Sequence, residues 1–272
     1  MMNKTGFLIL LWICIAAPVA AAGNNGISEL YVYPSIQYFK WEEFNGGSRL
    51  LKETGPMYGA GAAIALENPV LDANNFMTLK ARVELFGSVV DYDGQTQPPD
   101  PLPVKTDVTY FGTKGELDAG WRYSTGPFYM EPFGGAGIRW WLRDIHDAST
   151  TDGGGNSVSV MGYTENWLSA YARAGLRSGY TLAKDLKVFA EAGGKYPFYS
   201  ENSVNFSDTG PVTVKPRGEW SAFAELGAQY KWFRPCLFYE GFRYSDSPVV
   251  SGLFQPESQG DIFGVQLGVS FN

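Results

Sequence analysis

The stretch Thr78-Leu79-Lys80-Ala81-Arg82-Val83-Glu84-Leu85 decides the fold class. Its polar and apolar side chains alternate with a period of two, which sets them on opposite faces of a β-strand. The pattern recurs downstream, where Lys114, Glu116, Asp118 and Arg122 interleave with Gly115, Leu117, Ala119 and Trp121. Glu131, Arg139 and Arg143 likewise share a face opposite Met130, Ile138, Trp140 and Leu142. A soluble sandwich would turn its charges to water and bury large aliphatics. Here the apolar face is rich in Ala and Gly, with aromatics near the strand ends. That combination predicts an all-β, up-and-down antiparallel barrel standing in lipid with its charges inside.

Later segments repeat the division. Leu168, Ala170, Ala172, Ala174, Leu176 and Tyr180 oppose Ser169, Tyr171, Arg173 and Arg177; Trp220, Ala222, Ala224, Leu226, Ala228, Tyr230 and Trp232 oppose Ser221, Glu225, Gln229 and Lys231. Trp121 and Tyr123 at one end and Trp140 near the other suit the aromatic girdles of a membrane-spanning barrel. Read forward, the alternation gives about ten strands, at 29–42, 56–67, 76–92, 107–123, 127–144, 165–182, 186–200, 218–232, 235–246 and 259–272. Their connections alternate in length. Asn68 to Asn75, Ser124-Thr125-Gly126, Ala183-Lys184-Asp185 and Phe233-Arg234 are short, whereas those from Glu43, Gly94, Ile145, Glu201 and Ser247 are long and rich in polar residues, Pro or Gly. Short periplasmic turns and long extracellular loops are the rule for such barrels, so both termini are expected in the periplasm. On the ninth strand Glu240 and Arg243 cannot both point inward, so either Gly241 marks a bulge or Arg243 already lies at the rim.

The N-terminus agrees. Lys4 precedes an apolar run from Phe7 to Val19 closed by Ala20-Ala21-Ala22, the pattern of a secretory signal over residues 1–22, leaving a single barrel domain over 23–272. Cys14 follows the bulky Trp12 and Ile13, which argues against lipid modification there. Only Cys236 then remains, so packing and the hydrogen-bond ladder must hold the fold. No later stretch reaches the ~18 apolar residues of a spanning helix. The net charge of −7 argues against nucleic acid as a partner. Near the C-terminus Val265, Leu267, Val269 and Phe271 form one apolar row that resembles the signal read by the barrel assembly machinery. That signal usually ends on the aromatic itself, and Asn272 departs from it. Outer-membrane lipid, lipopolysaccharide and that machinery are the partners this implies, with no extracellular ligand specified.

Ten strands enclose little space, because diameter grows with strand number. The interior is expected to carry Lys80, Arg82, Lys114, Arg122, Arg139, Arg173, Arg177 and Lys195 against Glu84, Glu116, Asp118, Glu131, Glu191 and Glu225. Opposite charges packed there are expected to pair into a filled lumen, since an unpaired member would be costly.

The rim carries Asp91-Tyr92-Asp93 and Asp144-Ile145-His146. In architecture and in these two tripeptides the chain resembles the omptin proteases, ten-stranded barrels with an aspartate pair on one rim and an Asp-x-His on the opposite one. The resemblance implies carboxylate and imidazole activating water over an extracellular cleft. Asp144 and His146, however, open the third long loop, whereas omptins place the motif in the fourth; the fourth here, Glu201 to Arg217, has no histidine. His146 with Ser149 does not have the alignment that lipid-deacylating barrels use, and Asp144, Asp147 and Asp152 are scattered loop carboxylates. No catalytic residue, metal site or cofactor is therefore expected. The expected role is structural or surface-binding, with a narrow channel or an omptin-like protease as the alternatives.

Overall fold

A computed structural model describes residues 26–71, 73–96, 101–206 and 210–271. The expected signal segment and Asn272 lie outside the described residues. The chain runs through β1 (Ile27–Asn45), β2 (Ser48–Pro69), β3 (Asn75–Gln95), β4 (Pro103–Thr125), β5 (Phe128–Ile145), β6 (Ala148–Thr151) and β7 (Ser157–Val160). It continues through β8 (Tyr163–Ala183), β9 (Leu186–Phe206), β10 (Gly210–Val214), β11 (Arg217–Gly218), β12 (Ser221–Tyr230), β13 (Phe233–Ser245) and β14 (Glu257–Ser270). Ten of these, β1–β5, β8, β9 and β12–β14, form one closed antiparallel ring in chain order, sealed where β1 meets β14 with Val32 opposite Val269. Closure removes every free edge, which a hydrocarbon environment requires.

The period-two pattern is realised as read. Leu117 is 48% exposed on the outer face while its neighbour Glu116 is 9% exposed on the inner one. Outward Leu30, Val32, Ile36 and Tyr38 on β1, and Met77, Leu85 and Val89 on β3, are exposed parts of a continuous apolar band. Trp121, Tyr123, Phe128, Tyr180, Tyr230, Trp232 and Phe271 ring its short-turn end, all exposed. Toward the long-loop end the outer face turns charged: Lys40 pairs with Glu42 at 2.5 Å, and Asp91, Asp107 and Asp144 occupy outward positions. Strands of 22 and 23 residues, such as β2 and β4, exceed the ~9–11 that cross a bilayer, so the barrel projects well beyond the lipid at this end.

Two local expectations are corrected, and one open alternative is decided. The turn between the eighth and ninth barrel strands is Lys231-Trp232, not Phe233-Arg234, because Lys231 takes the left-handed conformation (φ 53°) while Arg234 lies inside, its Nε donating to Glu29 Oε1 at 2.9 Å. The long connection from Ile145, in which Asp147 and Asp152 are expected as loop carboxylates, contains a hairpin in which β6 pairs with β7. Asp152 stabilises its tip, accepting from the Asn156 side chain at 3.0 Å and backbone N–H at 2.8 Å, and the Asn156 hydrogen bonds hold its carboxyl below the usual range. Gly241 makes no bulge; the β13–β14 register is continuous and Arg243 points outward at the rim, its Nη2 2.7 Å from Asp261 Oδ1.

Candidate functional site

The strand parity that feeds the outer band delivers the opposite set of side chains to the bore. Lys80, Arg82, Glu84, Lys114, Glu116, Asp118, Glu131, Arg139, Arg173, Arg177, Glu191, Lys195 and Glu225 are all buried there, and Arg122 is partly buried at the short-turn end. Arg177 reaches Asp118, Glu131 at 2.8 Å and Glu191 at 2.7 Å, while Arg173 reaches Glu116 and Glu191, the latter at 2.6 Å. Arg122 contacts Glu67 and, at 2.7 Å, Glu131. Glu84 accepts from Gln37 at 2.6 Å and Tyr33 at 3.2 Å, with Lys114 at 3.8 Å.

The geometry of two pairs matters most. Arg82 on β3 meets Glu225 on β12, and Lys114 on β4 meets Glu240 on β13 at 2.9 Å. Each pair joins strands five places apart in a ring of ten, so each crosses the full bore. Glu240 also receives Lys195 at 2.7 Å and Arg139 at 3.6 Å, making it the hub of the middle layer. It sits in the same inward row as Cys236 and Phe242, a row from which the sequence reading drew no lumen residue.

Above these charges the inner face changes character. Phe39, Trp41, Phe86, Tyr110, Trp141, Trp167, Phe242 and Tyr244 pack into one buried cluster. Trp141 and Trp167 stack with centroids 5.2 Å apart at 8°, and Trp41 and Tyr244 meet Trp167 at 5.5 and 5.6 Å. Cations cap the cluster from below: Arg139 Cζ lies 4.2 Å from the Phe86 centroid and Lys195 Nζ 3.2 Å from that of Phe242. Gly137 makes room beneath it, since a Cβ there would fall on the Tyr171 ring.

Three carboxylates converge on one guanidinium at the top of the cluster. Arg143, 1% exposed, donates from Nε to Glu53 at 2.9 Å and from Nη1 to Glu43 at 3.2 Å and Glu165 at 2.9 Å. Trp41 Nε1 donates to Glu43 at 3.0 Å, Trp167 Nε1 to Glu165 at 2.7 Å, and the Tyr110 hydroxyl to Glu53. Glu43 and Glu165 line a cavity of about 220 Å³ that opens through exposed Asn45, Gln95 and Gly252. The connection expected from Glu43 is a two-residue turn, Gly46-Gly47, because β1 and β2 continue pairing up to it. The cavity walls come from Leu50 and Leu51 on β2, Tyr92 on β3, Thr96, Tyr163 on β8, Val212 and Val214 on β10, and Leu253 to Pro256. Gln255 fastens the last of these, its Oε1 accepting from Asn202 at 2.9 Å and its Nε2 donating to Ser258 at 3.1 Å.

No family model matches the chain, and no curated protein matches its sequence. Among solved structures it is similar to the outer membrane protease OmpT of Escherichia coli, with a TM-score of 0.55 at 12% identity, over 90% of this chain and 97% of that one. It also matches the transport unit of the Escherichia coli autotransporter AIDA-I, with a TM-score of 0.40 at 11% identity, over 90% and 92% of the two chains. This is the fold of a bacterial outer-membrane β-barrel.

Within that fold the two omptin-like tripeptides do not assemble a site. Asp91 and Asp93 are exposed on the outer face of β3 with Tyr92 turned inward between them. Asp144 is also outward, accepting from Thr164 Oγ1 at 2.7 Å, and the His146 ring meets the hydroxyl of Thr109, an outward residue of β4, at 2.9 Å. Only β4 separates the strands that carry the two motifs, so they occupy neighbouring parts of the rim. Asp147 accepts from the Gly162 N–H at 2.7 Å, which ties it into loop structure.

Proposed function

We propose that this protein is an integral outer-membrane barrel with a sealed bore, whose role is structural or surface-binding and is exercised at the long-loop end. In this reading residues 1–22 direct export and are removed, residues 23–272 insert through the barrel assembly machinery, and the long loops face outward from a lipopolysaccharide-bearing leaflet. The observation that carries it is the pair of salt bridges, Arg82 with Glu225 and Lys114 with Glu240, laid across the whole bore beneath a closed aromatic layer. A conducting path would have to break buried ion pairs whose separated members are strongly disfavoured. The outward placement of Asp91, Asp93, Asp144 and His146 supports a non-enzymatic role, because general-base chemistry needs the groups aimed at one substrate position.

Permeation into liposomes tests the reading. Vesicles containing the refolded barrel should swell in isotonic small sugars no faster than protein-free vesicles. Rapid swelling proportional to the amount of barrel would contradict it.

A further inference from the structure

We infer that the cavity at the long-loop end is a binding site for a small organic ammonium ion, an inference that rests on the sealed, surface-binding reading and gives it a ligand class. The charge balance is the first argument. Glu43, Glu53 and Glu165 face Arg143 alone, so the cluster holds two more formal negative charges than positive ones, and among the described residues no Lys or Arg lines the cavity above it. Glu53 is committed on both oxygens, to Arg143 and to Tyr110, which leaves Glu43 and Glu165 as the two that line the cavity; burial pushes the Glu43 carboxyl up to about 7, so near neutral pH a proton already meets part of the surplus there. Buried charge without a counterpart is strongly unfavourable, and a cation entering from solvent would balance it.

The walls decide which cation. The walls mix Glu43, Glu165, Asn45, Gln95, Thr96 and Gln255 with Leu51, Val204, Val214 and Phe254, and among the described residues no three His, Cys, Asp or Glu side chains are grouped to hold a metal ion. This lining suits an ammonium head between the carboxylates with an alkyl body against the aliphatics, and Tyr92 and Tyr163 offer aromatic surface to such a cation. A volume of about 220 Å³ falls below the ~300–1,000 Å³ typical of sites for drug-sized ligands, which limits the occupant to a small molecule. Most of the cavity wall is strand, with Leu51 on β2, Tyr92 on β3, Tyr163 on β8 and Val204 on β9, so the rigid barrel itself holds the site in shape.

Titration calorimetry of the refolded mature barrel with n-butylammonium, corrected for empty micelles, tests the inference, with n-butanol as the neutral analogue. Butylammonium should bind at least tenfold more tightly than butanol. Glu43→Gln and Glu165→Gln should each weaken it at least tenfold, and Leu253→Trp, which fills the cavity without altering its charges, should also weaken it. Asp91→Asn and Asp144→Asn, which remove outward carboxylates at the same end, should leave binding unchanged. Heat-modifiable gel migration confirms folding of each variant, and a variant that does not fold leaves the remaining ones to decide. Absence of butylammonium binding overturns the inference, and so does equal binding of butanol, which would mean that protons balance the carboxylates. If liposomes carrying the barrel do not swell, such a failure leaves the sealed-barrel reading standing. Rapid swelling would overturn that reading and the inference resting on it.

Discussion

Arg82 on β3 and Glu225 on β12 meet across the centre of the barrel, each projecting from a strand diametrically opposite the other. Neither residue has a free partner beside it: Glu116, in register with Arg82, is engaged by Arg173, and the residue in register with Glu225 is another carboxylate, Glu191. The bridge is therefore a crossbeam of the bore, and its energetics follow from burial. Arg82→Met should destabilise the refolded barrel by roughly 3–5 kcal/mol, the cost of leaving a buried carboxylate unpaired. Adding Glu225→Leu should recover much of that loss, because both charges then disappear together. Reversible unfolding of the two variants in lipid vesicles checks the prediction; additive losses would show that the two residues do not act as a pair.

Face assignment gives the second test. Leu117→Arg should cost about 2–4 kcal/mol, the penalty for a cation on the lipid face near the bilayer midplane. Cysteine at 117 should react with a lipid-phase probe, and cysteine at 116 should be protected from it, since Glu116 points into the bore beside Arg173. A harmless Leu117→Arg would reverse the assignment of inside and outside.

His146→Ala should leave heat-modifiable migration unchanged, and the wild-type barrel should show no peptidase activity for it to abolish. The imidazole meets Thr109 on the outer wall, away from Asp91 and Asp93. Peptide cleavage by the purified barrel that stops on this substitution would restore the omptin-like reading.

Orientation is tested in intact cells. A cysteine at Gly154, in the exposed β6–β7 tip, should react with a membrane-impermeant maleimide, whereas one at Leu71, in the β2–β3 turn, should react only after the outer membrane is opened. The reverse labelling pattern would invert the barrel.

The membrane half of the molecule was legible because lipid imposes one rule there: apolar out, polar in. Leu79, Val83 and Leu85 against Lys80, Arg82 and Glu84 obey it, and every lumen residue expected from that parity is found inside or at the short-turn mouth. Beyond the lipid the rule inverts. On β1, Lys40 and Glu42 lie on the outer face, where Lys40 and Arg49 pair with Glu42, while Phe39 and Trp41 turn inward to fill the bore. Strand limits drawn from lipid-facing apolarity therefore stopped at residue 42 and resumed at 56, leaving Glu43 and Glu53 in a supposed loop, although both continue the inward parity of their strands. Glu165 and Arg143 were within predicted strands, yet only their long-range convergence on Glu43 and Glu53 makes a cluster. That convergence depends on ring closure, which places β1, β2, β5 and β8 around one axis.

Sealing of the bore is most directly measured as ionic current through the refolded barrel in a planar bilayer under an applied voltage. Insertion should be verified by heat-modifiable migration of the protein recovered from the membrane. The crossbeams at Arg82–Glu225 and Lys114–Glu240 and the aromatic layer above them predict no current above that of the bare bilayer. Arg82→Ala with Glu225→Ala, together with Lys114→Ala and Glu240→Ala, should raise the current if the barrel still folds, because these substitutions empty the middle of the bore. Steady, discrete openings of the wild-type protein would contradict the account.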